Sequence, residues 1–395
     1  MNRSLRYFFT SILSLAIIIV FTFNLASSAT VTTRVAGGAT YNWSSASTWI
    51  ANRTGTVSFT NGSANVTGTG TLFTTELQVG DVLMLQGSPA TTRGTILSIT
   101  DNTNLVLTSN ASATASGSYG NQTVPQNSDD VVIGNSLVSG NLTVTYDIAA
   151  DTVNALTFTG MAQQNILSTS GTNYLYVTNN MVINQPSTSA VIGWNINGGS
   201  GRIGGNVTLG GTNSTSGRQS RIYITSGSLI VTGNVSISSN ATAANSYIWI
   251  NGAGSMTFSN AFTMTAGTIN LAASGATVNF NSGFTFGSAN VPSFQTVSGS
   301  NLNIGGNLTV SPIALTLTSG SNTVFTGNST VTPTAPITFS NLQINSGVTL
   351  TLAGDVTVGG NWTNNGGTLS AASRTITFTG SSSNINGTSG SSFPN

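Results

Sequence analysis

The residues from Asn341 to Asn364 read NLQINSGVTLTLAGDVTVGGNWTN, and in this stretch apolar side chains alternate with Thr, Gln and Asn. Each apolar run is short and ends close to a Gly or an Asn. Alternation with a period of two is typical of a β-strand that buries one of its faces. The stretch therefore predicts short strands that are connected by tight corners.

A five-residue phrase of the same kind recurs along the chain. It consists of Gly, Asn or Asp, and an apolar–hydroxyl–apolar triplet, and it begins at Gly140, Gly205, Gly233, Gly306 and Gly354. Because Gly and Asn tolerate positive φ, we expect each pair to turn a corner before a strand. The last two intervals between these phrases are close to multiples of about 24 residues, which suits one coil of a β-solenoid.

These patterns define the fold class. No segment after Ala29 shows the apolar spacing of a helix, so we expect an all-β protein. Two architectures fit: a parallel β-helix (β-solenoid), in which coils stack and Asn or Thr side chains form ladders, and tandem β-sandwiches with antiparallel strands. Sandwiches need repeats of about 100 residues and frequent two-residue turns. The sequence has neither, and the β-solenoid is the predicted fold.

The chain divides into four parts. The first part carries Arg3 and Arg6, a long apolar run and small residues up to Ala29, which predicts a secretory signal peptide. A retained membrane anchor is the alternative, because the apolar run approaches the length of a spanning helix. The predicted boundaries are 1–29 for the signal peptide, 30–54 plus 121–150 for the N-terminal cap of the solenoid, 55–120 for an inserted small β-barrel, and 151–395 for the solenoid repeats.

The composition argues against most catalytic chemistry. The chain has no His and no Cys, only 4% of its residues are charged, and no Asp, Glu or Lys occurs between Thr152 and Gly354. Enzymes commonly take proton carriers, nucleophiles and metal ligands from these residue types. We therefore expect no enzymatic activity, no cofactor and no metal site. A net charge of +1 gives no reason to expect nucleic acid, and no later segment is apolar enough to cross a membrane.

Four carboxylates form the acidic cluster outside the inserted segment: Asp129, Asp130, Asp147 and Asp151. One hypothesis is a site for a hard cation or for glycoside cleavage, which would make the protein a carbohydrate-active β-helix enzyme, a polysaccharide lyase or hydrolase. The other is a charged cap that prevents edge-to-edge strand pairing at the end of the solenoid. We favour the cap.

Aromatic residues supply the candidate binding site. In three runs Tyr or Trp alternates with aliphatic residues, which sets the aromatic rings on the outer face of the sheet. Tyr223 and Tyr247 lie 24 residues apart, so we expect them to stack on neighbouring coils. Exposed aromatic rows suit the apolar faces of sugar rings. The predicted ligand-binding residues are Tyr174, Tyr176, Arg221, Tyr223, Tyr247 and Trp249.

Motifs on both sides of the insertion carry a resemblance to a known class of proteins. They are Trp43, Thr48-Trp49, Pro125, the run Asp129-Asp130-Val131-Val132-Ile133 and the repeats between Asn341 and Gly380. This pattern resembles large secreted surface proteins from Bacteroidetes-type bacteria, and it implies an extracellular, adhesin-like parallel β-helix. The inserted segment is similar to small β-barrels of phage tail and bacterial surface proteins.

We therefore expect a secreted or cell-surface protein with a structural or adhesin-like function, whose partners are extracellular glycans or a neighbouring cell surface. A phage-like receptor-binding module centred on the inserted segment is a further alternative. Phe393 and Asn395 match Phe339 and Asn341 of the preceding unit. This match predicts that the last repeat is truncated.

Overall fold

A computed structural model of the protein describes residues 28–35, 37–86, 91–134, 140–211, 217–238, 245–288 and 292–388. Most of the predicted signal peptide and the predicted truncated end, residues 389–395, lie outside these residues. Within the described ranges, no helix is both long and apolar enough to cross a membrane.

The described chain is almost entirely β-structure. Its helical parts are a 3-10 turn at Ala46–Thr48 and one short helix, α1, at Phe73–Glu76. The strands of the first coil and of the inserted segment are β1 (Thr30–Thr33), β2 (Ala39–Asn42), β3 (Trp49–Phe59), β4 (Asn65–Thr69), β5 (Val82–Leu85), β6 (Thr91–Ile99), β7 (Asn104–Leu107) and β8 (Ala115–Gln122).

The first half of the solenoid contains three long strands among shorter ones. Its strands are β9 (Asp130–Ile133), β10 (Leu142–Tyr146), β11 (Ala150–Val153), β12 (Ala155–Phe158), β13 (Asn165–Val177), β14 (Met181–Asn184), β15 (Val191–Ile203), β16 (Val207–Gly210), β17 (Gln219–Val231), β18 (Val235–Ser238), β19 (Ser246–Ile250) and β20 (Ser255–Phe258).

The second half consists of short strands throughout. They are β21 (Phe262–Met264), β22 (Thr268–Leu271), β23 (Thr277–Phe280), β24 (Gly283–Phe286), β25 (Ser293–Gln295), β26 (Asn301–Ile304), β27 (Asn307–Val310), β28 (Leu315–Thr316), β29 (Asn322–Phe325), β30 (Ser329–Pro333), β31 (Ile337–Phe339), β32 (Asn341–Ile344), β33 (Thr349–Leu352), β34 (Val356–Val358), β35 (Trp362–Asn364), β36 (Thr368–Ser370), β37 (Ile376–Phe378) and β38 (Ile385–Gly387).

These strands form a β-solenoid of about ten coils, as the sequence predicts. From β9 onward each strand pairs in parallel with its counterpart one coil away, for example Leu302 with Thr323 and Thr323 with Leu342. Antiparallel pairs occur only between β1 and β3 and within the inserted segment, among the described strands. The tandem-sandwich alternative is therefore wrong.

Each coil contributes one strand segment to each of three faces. The first face contains β10, the first halves of β13, β15 and β17, and then β19, β22 and β25. The second face contains β11, the second halves of the same long strands, and then β20, β23, β26, β29, β32 and β35. The third face contains β9, β12, β14, β16 and β18, and a six-stranded sheet of β21, β24, β27, β30, β33 and β36 continues its order. The strands β28, β31, β34 and β37 form a separate four-stranded sheet.

The inserted segment is a closed barrel of six strands, in the order β3, β4, β7, β6, β5 and β8, with β8 returning to β3. The sequence predicts about five strands, and the sixth arises because β3 and β8 run on from the solenoid into the barrel. Phe59, Phe73 and Tyr119 belong to its own hydrophobic core. The solenoid core is a separate cluster, which Trp43 and Trp49 join at the N-terminal end.

The corners of the coils differ from the expectation that their glycines have positive φ. Gly205, Gly233 and Gly306 do not have positive φ. They are glycines because the neighbouring coil is too close for a side chain: a Cβ atom on Gly233 would lie 2.1 Å from the carbonyl oxygen of Gly205. The Asn that follows has a role as well, since Oδ1 of Asn206 accepts the backbone N–H of Asn234 at 2.9 Å. The recurring phrase therefore connects successive coils.

Candidate functional site

The predicted aromatic residues lie where the strand pattern places them, on outward positions. In β17 and β19 the residues Ile222, Ile224, Ile248 and Ile250 are fully buried. The residues that alternate with these isoleucines point to the outer side of the first face and are half-buried. We call Arg221, Tyr223, Tyr247 and Trp249 the aromatic patch.

The register of the aromatic patch differs from the sequence expectation. Tyr223 pairs with Trp249, and Tyr247 pairs with Arg221. The expected stacking of Tyr223 on Tyr247 is therefore wrong, because this coil is longer than the assumed 24 residues. The rings of Tyr223 and Trp249 meet edge to face, with centroids 5.7 Å apart and an interplanar angle of 90°. They form a contoured surface rather than a flat row.

Polar contacts fix the ring of Tyr223. The guanidinium carbon of Arg221 lies 4.8 Å from the centroid of that ring, within the range of a cation–π contact. Nη2 of Arg221 donates a hydrogen bond to Oδ1 of Asn195 at 3.2 Å. Nδ2 of Asn251 donates to the hydroxyl oxygen of Tyr223 at 2.8 Å, which leaves the hydroxyl proton for another acceptor. Arg221 and Tyr223 are thus held in one geometry before any ligand binds.

Burial shapes the electrostatics of the aromatic patch. It lowers the pKa of Arg221 and raises the pKa of Tyr247, because a charged form is poorly solvated there. Arg221 nevertheless remains a cation at neutral pH. Nε of Arg221 and Nε1 of Trp249 are buried and have no hydrogen-bond partner among the described residues. A ligand therefore cannot bind through these two atoms.

Tyr174 and Tyr176 do not join the patch. They lie in the second half of β13 and so on the second face, beyond the irregular register between Gly171 and Tyr174. Tyr176 pairs with Arg202, whose guanidinium carbon lies 5.5 Å from the centroid of the tyrosine ring. The six predicted residues thus form two groups on two faces. Sequence alternation could not show this, because β13 turns from one face to the other at Gly171, which has a φ of 63°, within one strand.

Three of the four clustered carboxylates accept hydrogen bonds that hold the N-terminal segment. Asp129 accepts hydrogen bonds from the backbone N–H groups of Ala29, at 3.0 Å, and of Gln126, at 2.8 Å. Asp147 accepts the backbone N–H of Ser44 at 2.8 Å, and Asp151 accepts Nε1 of Trp43 at 3.3 Å. Burial raises the pKa values of Asp129 and Asp151.

The position of Asp130 does not fit the hypothesis that these acids protect a strand edge. Asp130, the first residue of β9, accepts a hydrogen bond from Nδ2 of Asn154 at 2.7 Å. The strand β9 has a parallel neighbour on each side. Asp130 therefore does not guard an open edge, and that part of the cap prediction is wrong. Among the residues that the structure describes, no group of three or more His, Cys, Asp or Glu side chains could hold a metal ion.

Two features of the surface were missed by the sequence reasoning. One is a cleft of about 300 Å³ between the barrel and the solenoid, lined by Arg53, Glu76, Asp81 and Asp129 among others. Its acids are engaged locally; Glu76, for example, accepts the backbone N–H of Thr54 at 2.9 Å. The other feature is a groove of about 290 Å³ on the second face, lined mainly by amide side chains. The echo of Asn301-Leu302-Asn303-Ile304 in Asn341-Leu342-Gln343-Ile344 is the signal that could have revealed it.

Comparisons with known proteins add nothing to this geometry. No family model, curated protein or solved structure matches the chain significantly.

Proposed function

We propose that this protein is a secreted structural or adhesin-like surface protein that contacts glycans through the aromatic patch. The observation that carries the proposal is the edge-to-face pair of Tyr223 and Trp249 beside Arg221, on the outer side of a sheet. Aromatic rings contact the apolar faces of sugars, and nearby amides bind their hydroxyl groups. Asn195 and Asn251 supply such amides at the edges of the patch.

The solenoid supports a display function for this patch. Its coils are joined by backbone ladders and by one continuous hydrophobic core, so that the patch is presented on a stiff support. Arg221, Tyr223 and Trp249 are already held by contacts with one another, which reduces the entropy lost on binding. These two properties together support an adhesive function.

An array of immobilised neutral and acidic glycans tests this proposal. The double variant Tyr223→Ala/Trp249→Ala should lose at least about tenfold in affinity for the bound glycan, since it removes both rings. Tyr223→Phe keeps the ring and should retain most of the binding. Tyr176→Ala is the matched control, because it removes an Arg-paired tyrosine from the second face. Unchanged binding by the double variant would contradict the proposal.

The barrel is a second candidate for recognition, as a phage-like receptor-binding module. Val79 and Leu97 are 64% and 56% exposed, which is high for large apolar side chains. They flank the hydrogen bond from the backbone N–H of Gly80 to the carbonyl oxygen of Ile96, so they lie close together on the barrel surface. The variant Val79→Ser/Leu97→Ser should abolish cell binding if the barrel, rather than the aromatic patch, recognises the cell surface.

A further inference from the structure

The groove on the second face is built from two parallel columns of outward side chains. In one column Asn301 pairs with Asn322 and Asn322 with Asn341, so that one amide projects from each coil. In the other column Val324 pairs with Gln343, and Gln343 with Thr363. The columns are two residues apart along each strand, or about 7 Å. The groove between them runs parallel to the axis of the solenoid.

The amides of the first column have fixed orientations. Nδ2 of Asn341 donates to Oδ1 of Asn322, and Nδ2 of Asn322 donates to Oδ1 of Asn301, both at 3.1 Å. Oδ1 of Asn341 accepts the backbone N–H of Asn361 at 2.9 Å. Each of these contacts uses one N–H or one lone pair of an amide group that has two of each. The column therefore offers a repeated donor and acceptor, about 4.8 Å apart from coil to coil.

The chemistry of the groove selects the class of its ligand. None of the residues that line it is charged, so a polyanion finds no counter-charge there. The backbone groups of β26, β29 and β32 are paired within the sheet, so an extended peptide cannot add to this face through its main chain. Hydroxyl groups both donate and accept, which matches the amide column, and half-buried Val324 offers an apolar contact to sugar C–H groups.

We propose that this groove binds an extended, neutral polysaccharide lying along the solenoid axis, with about one sugar residue per coil. The site is on a different face from the aromatic patch and does not depend on it. The rigid amide column lowers the entropic cost of binding. Because all its side-chain hydrogen bonds are donated toward the N-terminal end of the solenoid, the column also gives the ligand a preferred direction.

Calorimetric titration of the full chain with cello-oligosaccharides of two to six residues tests this proposal. Affinity should rise with length up to about four residues, the number of coils from Asn301 to Asn361, and then level off. The variant Asn322→Ala should weaken binding of the longest oligomer about tenfold, because it removes two ligand hydrogen bonds and loosens the column. Gln343→Leu, which leaves the amide column intact, should weaken binding by a smaller factor.

Asn279→Ala is the matched control. It removes ladder hydrogen bonds of the same kind, from Nδ2 of Asn279 to Oγ1 of Thr257 and from Nδ2 of Asn303 to Oδ1 of Asn279, outside the groove. It should bind the oligosaccharide like the wild type. Alginate, an anionic polymer, should compete poorly.

Three results would overturn the groove proposal. The first is no binding of any neutral oligomer by the wild type. The second is an equal loss of affinity in Asn279→Ala and Asn322→Ala. The third is a loss in Tyr223→Ala/Trp249→Ala without any loss in the groove variants, which would assign the oligomer to the aromatic patch. Conversely, the patch variant could lose binding on the glycan array but still bind the oligosaccharide with unchanged affinity in calorimetry. This result would support two separate sites with different ligands.

Discussion

At the scale of single residues, close approach between coils decides where glycine is required. A Cβ atom on Gly306 would lie 2.3 Å from the carbonyl oxygen of Ser282, whereas one on Gly359 would meet nothing closer than 3.6 Å. Neither glycine has positive φ. The two positions therefore differ in the space around them and not in backbone conformation.

We predict that Gly306→Ala destabilises the protein and that Gly359→Ala does not. The added methyl group at residue 306 must push two coils apart, at a cost of about 1 to 3 kcal/mol. Thermal unfolding followed by circular dichroism should show a lower midpoint for Gly306→Ala only. Equal midpoints for the two variants would show that the coils separate without cost.

The half-buried carboxyl group of Asp151 makes the stability of the protein depend on pH. Burial raises the pKa of its carboxyl above the ordinary value of 3.8. As pH rises through that value, the unfolded chain releases its proton before the folded protein does. The folded state then binds more protons, so stability falls with rising pH until the raised pKa is passed. Asp101 behaves in the opposite way, because hydrogen bonds from Thr103 and Asn104 lower its pKa.

We therefore predict opposite effects of two substitutions on a profile of unfolding midpoint against pH. Asp151→Asn should remove part of the decline that begins just above pH 3.8 as pH rises. Asp101→Asn should instead remove part of the loss of stability that occurs as pH falls below that region. Parallel profiles for both variants and the wild type would refute the assigned shifts.

At the scale of strands, the core contains a stack of phenylalanine rings over successive coils. The ring of Phe280 lies 4.2 Å from that of Phe284 and 5.0 Å from that of Phe258, measured between centroids and with nearly parallel planes. Phe262 completes the stack. The second and third faces meet at this point, since β23 and β24 carry the two central rings.

We predict that Phe280→Ala lowers stability by about 3 to 5 kcal/mol, because it leaves a cavity between three rings. Phe280→Leu fills most of that volume and should cost clearly less. Scanning calorimetry of both variants provides the comparison. A small effect of the alanine variant would mean that the neighbouring coils collapse into the space.

The sequence predicts these strands well and their register poorly. Alternation places Ile222 and Ile248 inside and Tyr223 and Trp249 outside, because side chains in a strand change sides at every residue. Register depends on coil length, and paired positions are separated by 28 residues at Asn206 and Asn234 but by 19 at Asn322 and Asn341. A single period of 24 residues cannot align such coils. The sequence therefore predicts the four residues of the aromatic patch, but it wrongly adds Tyr174 and Tyr176 and does not predict the arrangement.

At the scale of the whole molecule, an almost uncharged chain is held together by repetition. The amide of Asn206 and its counterparts at Asn307 and Asn341 each accept a backbone N–H of the next coil. Such contacts are local, so each coil is stabilised mainly by its two neighbours. The three faces follow from the same arrangement, but their separation could not be inferred from the sequence, because β13, β15 and β17 continue over two faces as single strands.

The barrel stands apart from this repetition, which leads to a prediction for the whole protein. It has its own core, and β3 and β8 leave the solenoid as an antiparallel pair in which Ala51 faces Asn121 and Asn52 faces Gly120. Two paired antiparallel strands can be closed by a two-residue Asn-Gly turn. Replacing residues 53–119 with that turn should leave a solenoid that keeps its β-type circular dichroism, its cooperative unfolding and its binding of glycans.

The control for this excision is a deletion within the solenoid that does not correspond to a whole number of coils. A deletion of residues 311–320, which is about half a coil, moves every later strand to a different face and should produce aggregated protein. If the barrel-free variant aggregates as well, the barrel is needed to cover the N-terminal coils. If it folds but loses only cell binding, recognition by the barrel replaces recognition by the aromatic patch, because the patch on β17 and β19 is far along the chain from the excised segment.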